Sequence, residues 1–193
     1  MTQFVPIEDP NAVELARSAL RAGEAIVVPT DTVYGLAALP SALDRLYALK
    51  GRPASLPIAV LVESLDQAAS VAAMTGVAGR LARAFWPGPL TIVRPRLEGS
   101  GTVAVRCPDH VFVHLLARDV GPLAVTSANR HGELTPPTAT AAAASLAGDV
   151  ALVVDGGPCG GVASTVVDAT GPDLTILRVG PITEEQIRAA ALR

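Results

Sequence analysis

Cysteine, lysine and aromatic residues are scarce in this 193-residue chain, and each scarcity excludes something. Two cysteines, Cys107 and Cys159, are too few for a disulfide framework or a CxxC metal site, so both read as small buried hydrophobes. Aromatics make up 3% of the residues, which argues against a surface that stacks nucleobases. No apolar run approaches the roughly 18 residues needed to span a bilayer, and no membrane contact is expected. The opening MTQFVPIEDP has neither a basic nor an apolar segment, so no signal peptide is read and the chain is expected to be cytoplasmic. A formal charge of -3 rules out a uniformly basic surface but leaves room for a basic cleft.

The familiar short motifs are missing too. There is no GK[ST], no GxGxxG after a strand, no GxSxG and no HExxH. His110 and His114 stand at helical i, i+4 spacing with no third ligand nearby, so they read as a surface helix face and no metal ligand is assigned. What remains is ample core: half the residues are apolar and 17% are charged, which excludes disorder and suits a single domain over 1–193. Of 15 basic residues only Lys50 is a lysine. A compact ammonium among guanidinium forks invites a specific role for it.

The pattern alternates strand-like and helix-like runs. Strands are expected at 25–29, 58–62, 90–94, 102–106, 123–127, 151–155, 164–168 and 174–178, and helices at 11–22, 41–49, 65–72, 76–85, 109–118, 138–147 and 183–192. Asp9 and Pro10 suit N-cap and N1 of the first helix. Ser41 and Asp44 suggest a capping box for the second, and Thr138 a cap for the Ala-rich one. Several strands are unbroken apolar runs, which predicts cover on both faces. The fold class is therefore α/β, an open mixed sheet with flanking helices.

Polar groups collect where these elements end. AIVV runs into Pro29-Thr30-Asp31-Thr32, the second helix into Lys50-Gly51-Arg52-Pro53, TVAV into Arg106, and PLAV into Thr126-Ser127-Ala128-Asn129. Ser164 opens one strand and Arg178 closes another. Singly, each cluster can be explained as a turn, a helix stop or a cap. Together they form an inventory of cations, hydroxyls and one amide that suits phosphate and carboxylate oxygens.

In this order, PTDTVYGLAA, KGRPASLPIAVLV, WPGPLTIV, VAVRCPDH, PLAVTSAN, ASTVVD and ILRVG resemble the YrdC family, the threonylcarbamoyl-AMP synthases that begin threonylcarbamoyl-adenosine modification of tRNA. The blocks span residues 25–180 and include the family's KxR and SxN signature, Lys50 and Arg52 with Ser127 and Asn129. The resemblance implies a twisted sheet with a large concave, positively lined cleft. It also implies a reaction of L-threonine, bicarbonate or CO2, and ATP that yields L-threonylcarbamoyl-AMP and pyrophosphate. By it, Lys50, Arg52, Thr102, Ser127, Asn129, Thr135 and Arg178 bind ATP, with Lys50 and Arg52 catalytic. Thr32, Arg106, Ser164 and the main chain at Val125 hold threonine, Arg106 on its carboxylate.

The resemblance implies Mg²⁺ on the triphosphate with few protein ligands. A downstream tRNA threonylcarbamoyl transferase complex would take the product. Leu56 stands where many relatives carry a polar residue, and Leu61 where some carry a His, so one nucleotide and one threonine contact are expected to be lost or taken over elsewhere. The chain stops soon after ILRVG, so the C-terminal domain of longer relatives is not expected. Two alternatives stand beside this reading: a paralogue acting on a different acyl or carbamoyl substrate, and a double-stranded-RNA-binding module. On this reading Lys50 and Arg52 both sit at an exposed helix end, where substitution spares the fold.

Overall fold

The computed structural model describes residues 1–192. In chain order the strands are β1 (Gln3–Pro6), β2 (Ile26–Val28), β3 (Gly35–Ala38), β4 (Ala59–Leu61), β5 (Leu90–Pro95), β6 (Thr102–Arg106), β7 (Leu123–Ser127), β8 (Leu152–Asp155), β9 (Thr165–Asp168) and β10 (Thr175–Arg178). The helices are α1 (Ala12–Arg21), α2 (Leu43–Lys50), α3 (Leu65–Ala69), α4 (Gly76–Phe85), α5 (Val111–Val120), α6 (Ala139–Ala144) and α7 (Glu184–Ala191). All strands join one sheet in the order β1-β8-β2-β3-β7-β4-β6-β5-β9-β10. The sheet is mixed: β8 runs parallel to β1 and β2, β4 to β6 and β5 to β9, and the remaining neighbours are antiparallel.

Each expected strand and helix is present, and two strands appear that the sequence pattern hides. β1 is short and mostly exposed. β3 reads GLAA, and glycine and alanine carry little strand propensity. Tertiary pairing alone makes it a strand: Gly35 to Ala38 lie between β2 and β7.

Two caps differ from expectation. Asn11, not Asp9, is the N-cap of α1, and the Asp9 carboxylate accepts from the Asn11 amide at 2.8 Å in a turn before the helix. At α2 the Ser41 box does not form, because Pro40–Ala42 make a 3-10 turn and Ala42 is the N-cap. Thr138 does cap α6, accepting from the Ala141 amide.

Sheet register explains the architecture. On one face, α2 and α6 pack on Val27, Leu36, Ala38, Ala124 and Val153. The same face continues to Val60, Ile92, Val105 and Val167, covered by α4 and α7 through Leu81 and Ile187. On the opposite face, α1 and α5 cover Ile26, Val28, Ala37, Leu123 and Leu152. Beyond these two helices that face is bare. There Ala59 and Leu61 of β4, Thr91 and Val93 of β5, Ala104 and Arg106 of β6, and Val166 of β9 line a cavity of about 340 Å³.

The expectation of cover on both faces therefore holds for β2 and β8 and fails for β5, β6 and β9. Their second face is apolar because it floors a cavity, not because a helix lies on it. Val93, Ala104 and Val166 are accordingly only half-buried.

The far rim of this cavity depends on one close approach. At Gly180, just past β10, an added Cβ would stand 2.6 Å from the Thr165 amide nitrogen and press on the Ala163 carbonyl oxygen. Both contacts are backbone and cannot rotate away. Gly180→Ala should therefore cost about 1–3 kcal/mol in a urea melt, as overpacking does. An unchanged midpoint would mean the rim relaxes freely.

Candidate active site

Local chemistry places each polar group around the bare face. Thr30 Oγ accepts from the Thr32 and Val33 amides at 3.2 Å each and donates to the Val33 carbonyl at 2.6 Å, a tight turn at the end of β2. This turn aims Asp31 and Thr32 at β6. Gly51, left-handed at φ 60, ends α2, and the Arg52 amide closes back on the Tyr47 carbonyl at 3.0 Å. The chain thus leaves the helix with Lys50 turned inward and Arg52 turned to the cavity.

Arg106 is buried, and each of its guanidinium nitrogens has a partner. Nε donates to the Gly88 carbonyl at 3.0 Å, Nη1 to Thr32 Oγ at 2.9 Å, and Nη2 to the Asp31 carboxylate. Burial pulls its pKa down and Asp31 pulls it back. Across the floor, Arg178 donates from Nε to the Ser164 carbonyl at 2.9 Å and from Nη2 to Ser164 Oγ at 3.2 Å. Ser164 Oγ also shares a 2.8 Å bond with Thr91 Oγ. Arg52 Nη2 donates to the Pro57 carbonyl at 3.0 Å. Every charged residue lining the cavity is an arginine: Arg52, Arg106 and Arg178. The expected cationic lining is therefore present.

Lys50 does not sit as the sequence suggested. It is 3% exposed, not at an exposed helix end. Its Nζ donates to the Ser127 carbonyl (2.7 Å), Ser127 Oγ (3.1 Å), the Asn129 carbonyl (2.9 Å) and Asn129 Oδ1 (2.9 Å). An ammonium has three N–H groups, so four acceptors use all of them. Burial, and then the charge of Arg52, lower its pKa to about 8.

Asn129 is equally committed. Its Oδ1 also accepts from Thr135 Oγ at 3.1 Å, and its Nδ2 donates to the Arg130 and Glu133 carbonyls at 2.7 and 2.6 Å. The four residues of the two signature pairs thus divide into two layers. Arg52 and Ser127 line the cavity, while Lys50 and Asn129 lie behind them and outside its lining.

The other expected site residues sort in the same way. Thr32, Arg106, Val125, Ser164 and Arg178 come together at the cavity. Thr135 is outside it, as a partner of Asn129. Thr102 is exposed at the start of β6, on the same face as Ala104 and Arg106, and so continues the cavity floor outward.

Leu61 is buried and lines the cavity, while Leu56 is exposed and its carbonyl accepts from the Tyr47 hydroxyl at 3.0 Å. Sequence reasoning left Tyr34 without a role. It is wholly buried, its hydroxyl donates to the Gly157 carbonyl at 2.6 Å, and burial raises its pKa to about 12. It fastens the glycine-rich 156–161 segment beside Thr32, whose carbonyl accepts from the Gly161 amide.

His110 and His114 do not form a surface helix face. His110 precedes α5 in extended conformation, and His114 bonds the Pro108 carbonyl through its ring. Among the described residues no group of three or more His, Cys, Asp or Glu could hold a metal ion. The Cys107 thiol is buried, and its pKa is pushed up to about 11, which leaves it an inert core group as expected.

Residues 18–180 match the model of the Sua5/YciO/YrdC family, described as "Telomere recombination". A protein of Mycobacterium tuberculosis named putative threonylcarbamoyl-AMP synthase is 40% identical, over 97% of this chain and 94% of its own length. The threonylcarbamoyl-AMP synthase of Bacillus subtilis is 38% identical over 98% of this chain, which spans 59% of that longer protein. Among solved structures, Pyrococcus abyssi Sua5 complexed with L-threonine superposes with a TM-score of 0.89 at 34% identity, over 98% of this chain and 60% of that one. Escherichia coli YciO, at 22% identity, shares the fold with a TM-score of 0.86 over 97% and 98%.

Removing the buried ammonium should therefore damage more than a surface. Lys50→Ala strands four acceptors and should lower stability by about 1–3 kcal/mol in chemical denaturation. A melt indistinguishable from wild type would show that water replaces the ammonium without loss.

Proposed function

The chain belongs to the Sua5/YciO/YrdC family, and on that premise we propose that it makes L-threonylcarbamoyl-AMP from L-threonine, bicarbonate or CO2, and ATP, releasing pyrophosphate. The observation that carries the reading is the bare sheet face itself. It is an apolar-floored cavity whose only charges are three arginines, with hydroxyls of Thr32, Thr91, Ser127 and Ser164 between them. At about 340 Å³ the cavity accommodates an amino acid and the phosphates, and leaves the nucleoside outside.

Threonine takes the inner end, its carboxylate on the Arg106 guanidinium and its side chain among Thr32, Val125 and Ser164. The triphosphate lies toward Arg52, Ser127 and Arg178, and the nucleoside continues along the β6 face toward Thr102. The neutral threonine amine adds to CO2 with loss of a proton, or to bicarbonate with loss of water, and the resulting carbamate presents an oxygen to the α-phosphorus. A new O–P bond forms there, the bond to the β-phosphate bridging oxygen breaks, and pyrophosphate carries the electron pair away. Such a step is governed by positioning and charge neutralisation, which fixed guanidinium groups supply without a general base.

Lys50 and Asn129 act through Ser127. Their bonds hold the end of β7, and Thr135 steadies Asn129 in turn. The residues here do not form a resident Mg²⁺ site, since the cavity lining carries no carboxylate. Magnesium therefore enters with ATP, as part of the substrate.

Among the described residues no helix is long and apolar enough to cross a membrane. A reaction that feeds tRNA modification suits a single domain working in the cytoplasm. The product passes to a tRNA-modifying transferase complex. Neither alternative reading is favoured. The relatives carry the synthase name at 35–40% identity.

Pyrophosphate release from ATP, Mg²⁺ and bicarbonate should require L-threonine, with serine and glycine well below it. Threonine-independent release, or none from folded protein that binds ATP, would direct attention to a different acyl acceptor. The rate should fall as pH rises through about 8, because a neutral Lys50 has two N–H groups for four acceptors. A pH–rate profile flat to pH 9.5 would remove Lys50 from the positioning role.

A further inference from the structure

Asp31 has no part in the mechanism above, yet it holds the guanidinium on which the threonine carboxylate is placed. Its carboxylate pairs with Arg106 Nη2, and both side chains are largely withdrawn from water, at 13% and 7% exposure. A second cavity, of about 410 Å³, lies on the other side of this pair and is lined by Asp31, Thr32, Gly88 and Asp109. Arg106 lines only the first cavity and Asp31 only the second, while Thr32 borders both. The ion pair is thus part of the wall between them.

Charge counting then constrains what Arg106 can accept. The empty pair is neutral. A plain carboxylate that joined it would leave two negative groups on one buried guanidinium, with Arg178 the other cation whose charge reaches that guanidinium. A zwitterion avoids this by exchange: its carboxylate takes Arg106 and its ammonium takes Asp31, so every charge keeps a partner. The α-amino group of an amino acid lies one carbon from its carboxylate, and Asp31 pairs with the same guanidinium that this carboxylate would approach.

We propose that Asp31 is a specificity-determining residue that exchanges its hold on Arg106 for the substrate's α-ammonium, so that the site selects zwitterionic amino acids over simple carboxylates. This rests on the threonine site proposed above. It adds a discriminating role for a carboxylate at the edge of that site.

The test is calorimetric binding of L-threonine and of (R)-3-hydroxybutyrate, which is threonine without its amine, to wild type, Asp31→Asn and Asp31→Ala. Wild type should bind threonine at least about thirtyfold more tightly than the hydroxy acid. Both variants should bind threonine about tenfold more weakly, as loss of a buried charge partner implies, and the hydroxy acid more tightly. Equal weakening of both ligands would mean that Asp31 merely props Arg106, and would overturn the proposal. So would wild type binding the two ligands within threefold, a result that needs no variant to fold. If wild type bound no threonine at all, the functional reading itself would fall and this proposal with it.

Discussion

Half of one sheet face has no helix over it, and the rest of the molecule follows from that constraint. The opposite face is covered along its length, by α2 and α6 and then by α4 and α7. On the open side the core under α1 and α5 reaches only as far as Leu61 of β4. A bare stretch of sheet in water needs small or apolar residues that tolerate half-burial, plus polar groups that are already partnered. Val93, Ala104 and Val166 meet the first need, and Arg106, Arg178 and Ser164 the second. Absence of a layer is what makes the site.

The cations around that site are not free. Lys50 and Arg106 are buried, partial desolvation also lowers the pKa of the more exposed Arg178, and each of the three is held by carbonyls, hydroxyls or a carboxylate. Such fixation costs desolvation on folding, but it holds the cations at the cavity before substrates arrive. It also divides labour. Arg52 and Ser127 meet the cavity, while Lys50 holds Ser127 from behind and is itself fixed by Asn129. Residues that a linear signature groups as equals are front and back of one wall.

Much of this was legible beforehand. The strong strands, the α/β class, the mixed sheet and the clustering of Thr32, Arg106, Ser127, Ser164 and Arg178 could be read from hydrophobic period and from polar residues at element ends. The resemblance supplied roles that spacing alone could not. The missed strand GLAA shows one limit, because its partners rather than its side chains make it a strand. The strand runs LTIVR and TVAVR show another, since an apolar cavity floor and a helix-covered face carry the same residues. Lys50 shows a third. A lysine at a helix end before Gly-Arg-Pro looks solvated until the end of β7 is brought against it.

By itself the sequence determined which segments extend, which coil and which residue types gather at their ends, because those depend on local period and turn chemistry. Tertiary structure alone decided which face stayed bare, which cations became buried and which carboxylate Arg106 would hold. Those outcomes depend on contacts between residues far apart in the chain, such as the 77 positions between Lys50 and Ser127 and the 75 between Asp31 and Arg106. Burial and charge pairing exist only once such distant groups meet.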